Sequence, residues 1–320
     1  MPRIPPIFNM YFTLNENMSS VSQKVIIVGA TGNLGPHLVS AIDSDPHFQV
    51  SILCRNSSDC SKFPQHIPVH RVDNYGASDA NLVELLTGQD VAISAIATQA
   101  VLQQKAIIDA AVKAGVKHFV PSEYGHDQRN ERAAQLLPPC FFTHKKQIVE
   151  YLQSKEAEGL KGTAFVTRPF FETAIPHLLG FDFQKRQAVI LKHDGDHHWS
   201  TTTLSTVALA VKNAVSAPTE ISNKYLFVES FNVSQNIILS SVEKLTNARW
   251  DVIYHDAGEQ RQLASEKLSR GDYSGLPTLM GYVTCVDGYG GDYMQYEESM
   301  NELLSLPPES LDSALKKIVQ

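Results

Sequence analysis

The residues best suited to chemistry in this chain begin with a glycine turn. Gly29-Ala30-Thr31-Gly32-Asn33-Leu34-Gly35 places a glycine at every third position. Gly29 permits a tight turn, Gly32 has no β-carbon to hold a pyrophosphate off the backbone, and Gly35 lets a helix pack close to a strand. Free N–H groups at the start of that helix would face the phosphates. The second feature is cationic. Cys54-Arg55-Asn56-Ser57 stands where an NAD-binding chain carries an acidic residue for the ribose 2′-hydroxyl. Arg55 sets a guanidinium there, suited to a 2′-phosphate, and no carboxylate is present to repel one. Lys62 is a candidate for a further charge. Together these residues predict NADP(H) as the cofactor.

Such a turn has this meaning only between a strand and a helix. Lys24-Val25-Ile26-Ile27-Val28 is a β-branched run of the kind that forms a strand buried on both faces. Behind the turn, Leu34, Leu38, Ala41 and Ile42 recur at helical spacing. Further strands are predicted at 50–53, 69–73, 91–96, 118–122 and 164–167, separated by helical segments such as Gln104–Ala114, which Gly115 closes. Strands alternating with helices give an α/β fold, a Rossmann-type doubly wound parallel sheet covered on both faces.

Composition excludes several classes. The chain has 320 residues, 43% apolar and 19% charged, enough to bury a sizeable core. Its formal net charge is −7, without a dense Lys/Arg block, so nucleic acid is not an expected partner. No apolar run approaches the roughly 18 residues of a membrane span. The four cysteines include no C-x-x-C pair and read as reduced thiols, which predicts a cytoplasmic setting. Residues 1–23 carry prolines and no helical or strand period. They are expected to be a flexible N-terminal extension, dispensable for folding.

The stretch 29–35, Arg55, Asp73, Ala110-Ala111-Val112-Lys113-Ala114-Gly115-Val116-Lys117 and Pro121-Ser122-Glu123-Tyr124-Gly125 together resemble the NmrA-like and isoflavone-reductase-like family. These are atypical relatives of the short-chain dehydrogenases. The similarity runs from Lys24 over nearly the whole remaining chain, and residues 201–204 and 232–245 resemble fungal members most. It implies an NADP(H)-binding Rossmann domain at 24–168. Residues 169–320 would form a smaller, mainly substrate-binding α/β domain, partly interleaved with the first. It also implies one of two functions. The first is NADPH-dependent reduction of a small aromatic or conjugated, secondary-metabolite-like substrate. The alternative is a non-catalytic NADP(H)-sensing regulator acting through a protein partner. Oligomerisation is open under either.

Short-chain dehydrogenases carry a catalytic Tyr-x-x-x-Lys. Here the corresponding stretch is Phe141-Phe142-Thr143-His144-Lys145, so the lysine is kept and a phenylalanine replaces the tyrosine. The resemblance makes Lys145 the catalytic candidate, as proton donor or acceptor, with Lys146 next to it if the alignment slips by one. A second match, Tyr151-Leu152-Gln153-Ser154-Lys155, is set aside. Lys145 shares a helix face with Ile148, Val149 and Leu152, while Tyr151 lies about 120° away. Cofactor contacts are expected at Gly29, Thr31, Gly32, Asn33, Leu34, Gly35, Arg55, Lys62, Asp73 and Lys145.

Other groupings read as structural. His193-Asp194-Gly195-Asp196-His197-His198 looks metal-binding, but Asp-Gly between two strand-like runs, 188–192 and 199–203, predicts a β-hairpin, so no metal is expected. Asp287-Gly288-Tyr289-Gly290-Gly291-Asp292 follows no suitable strand and is expected as a mobile loop near the substrate pocket. Phe170 and Phe171 follow the sixth strand, where either a pocket wall or core is open to them. His144 could assist proton transfer or be a surface residue.

Overall fold

The computed structural model describes residues 22–76, 79–192, 195–216 and 221–319. The extension expected at 1–23 therefore lies almost wholly outside the described residues. Gln23 already belongs to the first strand, its N–H donating to the His47 carbonyl at 2.8 Å.

The central sheet has seven strands. In chain order they are β1 (Gln23–Val28), β2 (Phe48–Arg55), β3 (Val69–Val72), β4 (Val91–Ser94), β5 (His118–Val120), β6 (Lys161–Val166) and, after three short strands numbered β7 to β9 below, β10 (Lys224–Phe227). Their spatial order is β10-β6-β5-β4-β1-β2-β3, and every pairing is parallel. This is the doubly wound order with its reversal between β1 and β4, so a crevice opens beyond the carboxyl ends of those two strands. Side-chain alternation along β1 explains the two layers. Val25 and Ile27 pack on one face with Leu38, Ile42, Val207 and Val211. Ile26 and Val28 pack on the other with Ile107, Ile108, Ile148 and Leu152. The first face is covered by α1 (Gly35–Asp43) and by a later helix at Leu204–Ser216; the second by α2 (Asp79–Leu86), α3 (Gln104–Ala114) and a helix at Thr143–Gln153. Between α3 and the last of these lies one short turn of helix, α4 (Glu131–Ala134), so the helix at Thr143–Gln153 is α5.

All six strands expected from the sequence form. Four end short of their expected bounds, β3 and β6 by one residue and β4 and β5 by two, and the last two matter below. Ala95 and Ile96 leave the sheet after β4, and Pro121 and Ser122 leave it after β5. No α-helix joins β2 to β3 among the described residues, unlike the other expected connections.

The C-terminal part is smaller and mixed. Helix α6 (Phe171–His177) leads to β7 (Phe181–Asp182) and β8 (Gln187–Lys192), which pair antiparallel. β12 (Asp251–Asp256) adds to β8 in parallel. β9 (Trp199–Thr201) pairs antiparallel with β11 (Phe231–Val233). Among the described residues the α-helices that follow are α7 (Leu204–Ser216), α8 (Gln235–Thr246), α9 (Ala257–Ser269), α10 (Leu276–Cys285) and α11 (Leu311–Val319).

The hairpin expected across residues 188–203 does not form: β8 and β9 lie in different sheets. The start of α8 takes hold of the intervening turn instead. The Asn236 N–H donates to the Gly195 carbonyl at 3.0 Å and its side chain to Asp196 Oδ1 at 2.8 Å, while Gln235 Oε1 accepts from the Leu191 N–H at 2.9 Å. A β-carbon on Gly195 would come within 2.6 Å of Ile190 Cγ2, so the turn is pressed onto the strand it leaves. His193 and Asp194 lie outside the described residues. His198 Nδ1 and Asn232 Oδ1 are 2.7 Å apart.

One buried titratable group gives the fold an expected pH response. His118 on β5 is 2% exposed, with Nε2 2.9 Å from Thr163 Oγ1. Burial, with a smaller contribution from Lys161, lowers its pKa from 6.5 to about 4. The unfolded chain therefore binds the extra proton first. Stability from the neutral ring is complete above pH 6.5 and is lost as pH falls towards 4, by about 3 kcal/mol. His118→Gln should flatten the acid side of a denaturation-versus-pH curve by that amount; parallel curves for variant and wild type would contradict it.

Candidate active site

The crevice predicted by the strand order is a cleft of about 470 Å³, on the scale of small-ligand pockets. Its walls come from the carboxyl ends of successive strands. β1 contributes Gly29 and the 31–34 segment, β2 contributes Arg55, and Tyr75 follows β3. Ala95 to Thr98 follow β4, Ser122 and Tyr124 follow β5, and Phe170 follows β6; Lys145 enters from α5.

The three glycines are glycine for different reasons. Gly29 has φ +80°, a left-handed conformation, and a β-carbon there would sit 3.0 Å from the Ala95 backbone. At Gly35 a β-carbon would fall 2.0 Å from the Ala30 carbonyl oxygen, so α1 could not rest against β1. At Gly32 a β-carbon would meet nothing in the chain closer than 3.7 Å. The protein's own packing does not demand glycine there, and the open space fits close approach by a ligand. Helix α1 supports this, since no side chain caps its start and no acidic residue lies in its first turn. Its N-terminal N–H groups and the positive end of its dipole stay available to an anion. Arg55 is exposed and makes no ion pair among the described residues. These features fit a phosphorylated dinucleotide.

The other expected contacts divide. Thr31, Asn33 and Leu34 line the cleft. Gly35 lies beneath it, packing the helix. Lys62 Nζ donates to the Thr31 carbonyl at 3.1 Å, so it braces the glycine turn. Asp73 does not reach the cleft wall; Asn56 Nδ2 donates to its Oδ1 at 2.6 Å, fixing the loop behind Arg55. Arg71 Nη1 ties the same loop by donating to the carbonyls of Arg55, Asn56 and Ser58 at 3.1–3.2 Å.

Lys145 is 7% exposed and shares the buried face of α5 with Ile148, Val149 and Leu152. Its Nζ donates to the main-chain carbonyl of Glu123 at 3.0 Å. Burial lowers its pKa, and the charge of Glu123 works against that shift. The Glu123 carboxyl is itself fully buried with neither oxygen hydrogen-bonded, and burial raises its pKa. Tyr151 and Lys155, the set-aside motif, face away from the cleft: the Tyr151 hydroxyl and the Lys155 ammonium both meet Asp109 on α3, at 2.5 and 3.4 Å. Phe141 is half-buried against a separate apolar cluster, and His144 and Lys146 are half-buried outside the cleft wall.

Phe170 and Phe171 take one role each. Phe170 lines the cleft, while Phe171 is fully buried edge-on against Phe231, ring centroids 5.0 Å apart. The 287–292 loop lines a separate cavity of about 540 Å³ with Asp127, Arg129 and Tyr296. It packs tightly: Tyr289 is 3% exposed, and a β-carbon on Gly291 would fall 2.1 Å from the Thr284 carbonyl oxygen.

Gln104 belongs to no recognisable motif in the sequence. It is fully buried at the start of α3, and its Oε1 accepts from the Ser122 N–H at 2.7 Å while Ser122 Oγ donates to the Ile96 carbonyl at 2.8 Å. It thus fixes the turn after β5 to the turn after β4. Its signal was a polar residue in the inward stripe Gln104, Ile107, Ile108, Ala111. Behind the same turn, Arg168 adopts φ +56° and is buried with Nε and Nη2 unpartnered; its N–H donates to the Gly125 carbonyl at 2.8 Å.

The model of the NmrA-like family matches residues 21–257. The chain belongs to that family. A relative from Aspergillus flavus, named oxidoreductase aprR, is 51% identical over 297 residues, covering 93% of this chain and 99% of its own. The expected likeness to fungal members thus has a fungal relative behind it. The crystal structure of isoflavone reductase shares the fold at TM-score 0.71 and 21% identity, covering 92% of this chain and 98% of that one. A structure of AtPrR2 with NADP+ and (+)pinoresinol does so at TM-score 0.71 and 20% identity, covering 93% and 99%. Among the described residues of this NmrA-like protein, no helix is long and apolar enough to cross a membrane.

Proposed function

We propose that this NmrA-like protein is an NADPH-dependent oxidoreductase that reduces a small aromatic or conjugated substrate, with Lys145 as proton donor or acceptor. The observation that carries the reading is the placement of a buried lysine amine in the same cleft as the glycine turn and Arg55. NADPH, when bound, supplies the hydride. Arg55 then holds the 2′-phosphate, the turn at 29–35 receives the pyrophosphate, and Lys62 keeps that turn in place. Lys145 delivers or takes the proton at Nζ; its lowered pKa brings it towards the range where a general acid–base group works. Phe170 and Tyr124 give the cleft aromatic walls. Residues 24–168 act as the cofactor part and 169–320 mainly as the substrate part, in a cytoplasmic setting.

The name of the Aspergillus flavus relative supports an oxidoreductase, and AtPrR2, which holds NADP+ and (+)pinoresinol, supports the cofactor and the aromatic class. The test is incubation of purified protein and NADPH with an extract of its host, following cofactor oxidation and product masses. The expected result is NADPH consumption matched by a product heavier by two hydrogens. No turnover, together with NADP(H)-dependent binding of a protein partner, would overturn the reading in favour of a cofactor-sensing regulator.

A further inference from the structure

The Glu123 carbonyl that holds Lys145 has a second donor. Gln128, 2% exposed, brings its Nε2 to the same oxygen at 3.1 Å, against 3.0 Å for Lys145 Nζ. A carbonyl oxygen has two lone pairs, so these two donors fill it and fix its direction. Where the lysine amine stands therefore depends on where Gln128 stands, and Gln128 lies between two residues that are themselves tied down.

Asp127 is a buried carboxylate. Among the described residues, the hydrogen bonds to it all come from Arg129. Its Oδ1 accepts from the Arg129 N–H at 3.0 Å and from Nε at 2.9 Å, and its Oδ2 from Nη2 at 2.8 Å. The same Nη2 reaches out of the loop to Glu297 Oε1 at 2.7 Å. The guanidinium lies over the rings of Tyr225 and Phe227 on β10, 5.3 and 5.1 Å from their centroids. Phe227 packs in turn against Tyr293 and Tyr296, with ring centroids 5.2 and 6.3 Å away. One side chain thus joins the loop after β5 to the edge strand of the sheet and to the 293–297 segment of the C-terminal part. An exposed ion pair alone holds little. This one gains from forked bonds to a buried carboxylate and from two aromatic faces. Arg132 on α4 adds a parallel tie, its guanidinium 4.4 Å from the Tyr289 ring centroid.

We propose that Arg129 is a positioning residue for Lys145: it clasps the 127–129 loop to the 293–297 segment, so that the amine is held in place only while the C-terminal part is seated. The linkage runs from Glu297 through Arg129 to the main chain of Gln128, and from the Gln128 amide to the carbonyl that carries Nζ. Arg129 and Glu297 line the cavity of about 540 Å³, and neither belongs to the wall of the cofactor cleft. Loosening the clasp should therefore free the lysine and leave the glycine turn and Arg55 untouched.

This inference deepens the reading of Lys145 as the proton carrier, and its first test needs no substrate. The protein is treated with the amine reagent trinitrobenzenesulfonate, and modification of each lysine is followed by peptide mass mapping. In Arg129→Ala, Lys145 should react about ten- to a hundredfold faster than in the wild type, the factor that corresponds to one hydrogen bond with a charged group. Lys155, which meets Asp109 away from the clasp, should keep its rate. Glu297→Ala breaks only the outer tie and should speed Lys145 by about two- to fivefold, as for an exposed pair. Arg129→Ala combined with Asp127→Asn separates positioning from mere stability. If the single variant acts only by stranding a buried carboxylate, the neutral amide restores the slow rate. If the clasp holds the lysine, the double variant stays fast. A slow double variant, or an unchanged Lys145 rate in Glu297→Ala, would overturn the proposal. Should Arg129→Ala not fold, Glu297→Ala decides alone: a faster Lys145 supports the clasp and an unchanged one refutes it. Once a substrate is known, kcat should fall in Arg129→Ala while the dissociation constant of NADPH holds. Absence of turnover in the wild type would sink the reductase reading, whereas the labelling rates alone judge the clasp.

Discussion

Lys145→Met should fold, bind NADPH and lose about 10²–10⁴-fold in turnover, the range that a general acid–base group contributes. The methionine keeps most of the apolar stem against Ile148 and Leu152, so packing changes little. Two opposing effects act on stability. Loss of the bond to the Glu123 carbonyl leaves that oxygen with Gln128 as its donor, while removal of a buried ammonium relieves a desolvation cost. The net shift in melting temperature should therefore be a few degrees at most. Tyr151→Phe and Lys155→Met serve as controls and should retain near-normal turnover, since both side chains meet Asp109 outside the cleft. Steady-state kinetics on the substrate recovered from extract gives the measurement. Undiminished kcat in Lys145→Met would remove the lysine from the mechanism.

Arg55→Ala should weaken NADPH binding by one to two decades and leave NADH binding nearly unchanged. A charge-assisted hydrogen bond is worth about 1.5–3 kcal/mol, and each 1.4 kcal/mol is a factor of ten. The side chain is exposed on the cleft rim, so solvent screening places the loss towards the lower end at physiological salt. The loop behind it should keep its shape, because Arg71 and Asn56 hold it through backbone carbonyls and Asp73, none of which uses the Arg55 side chain. Calorimetric titration with the two cofactors separates the terms. Equal losses for both would show that selection of the 2′-phosphate resides elsewhere, with Lys62 the next place to look.

The parts of this molecule that could be read before folding are those where one local rule decides. Val25 to Val28 are wholly buried, as an unbroken apolar run in a parallel sheet requires, and Lys145 lies on the buried face that helical periodicity assigned to it. The glycine turn was legible because Gly29 and Gly35 answer separate steric demands. What escaped depends on partners distant in sequence. Asp-Gly at 194–195 has hairpin chemistry, yet the start of α8, forty residues on, holds Gly195 and Asp196. Asp73 was expected at the cofactor, but Asn56 takes its carboxylate; Lys62 was expected at a phosphate, but its nearest acceptor is the Thr31 carbonyl. Glu123 gave no periodic signal, being a charged residue in a turn, and only the burial imposed by β5, β6 and α5 makes its carboxyl unusual.

The seventh strand has a consequence for how the protein is made. β10 pairs with β6 from residue 224 onward, after α6 and α7 have been inserted between them. A ribosome will therefore have released the glycine turn, Arg55 and Lys145 well before the strand that closes the sheet on their side exists. Until then β6 presents its outer N–H and C=O groups as an unpaired edge beside Thr163, Phe165 and Val166, an apolar template for pairing between chains. Chains halted between residues 168 and 224 should be the aggregation-prone species during synthesis, and a fragment cut at the end of the nucleotide-binding half should need its missing strand supplied in trans to stay soluble.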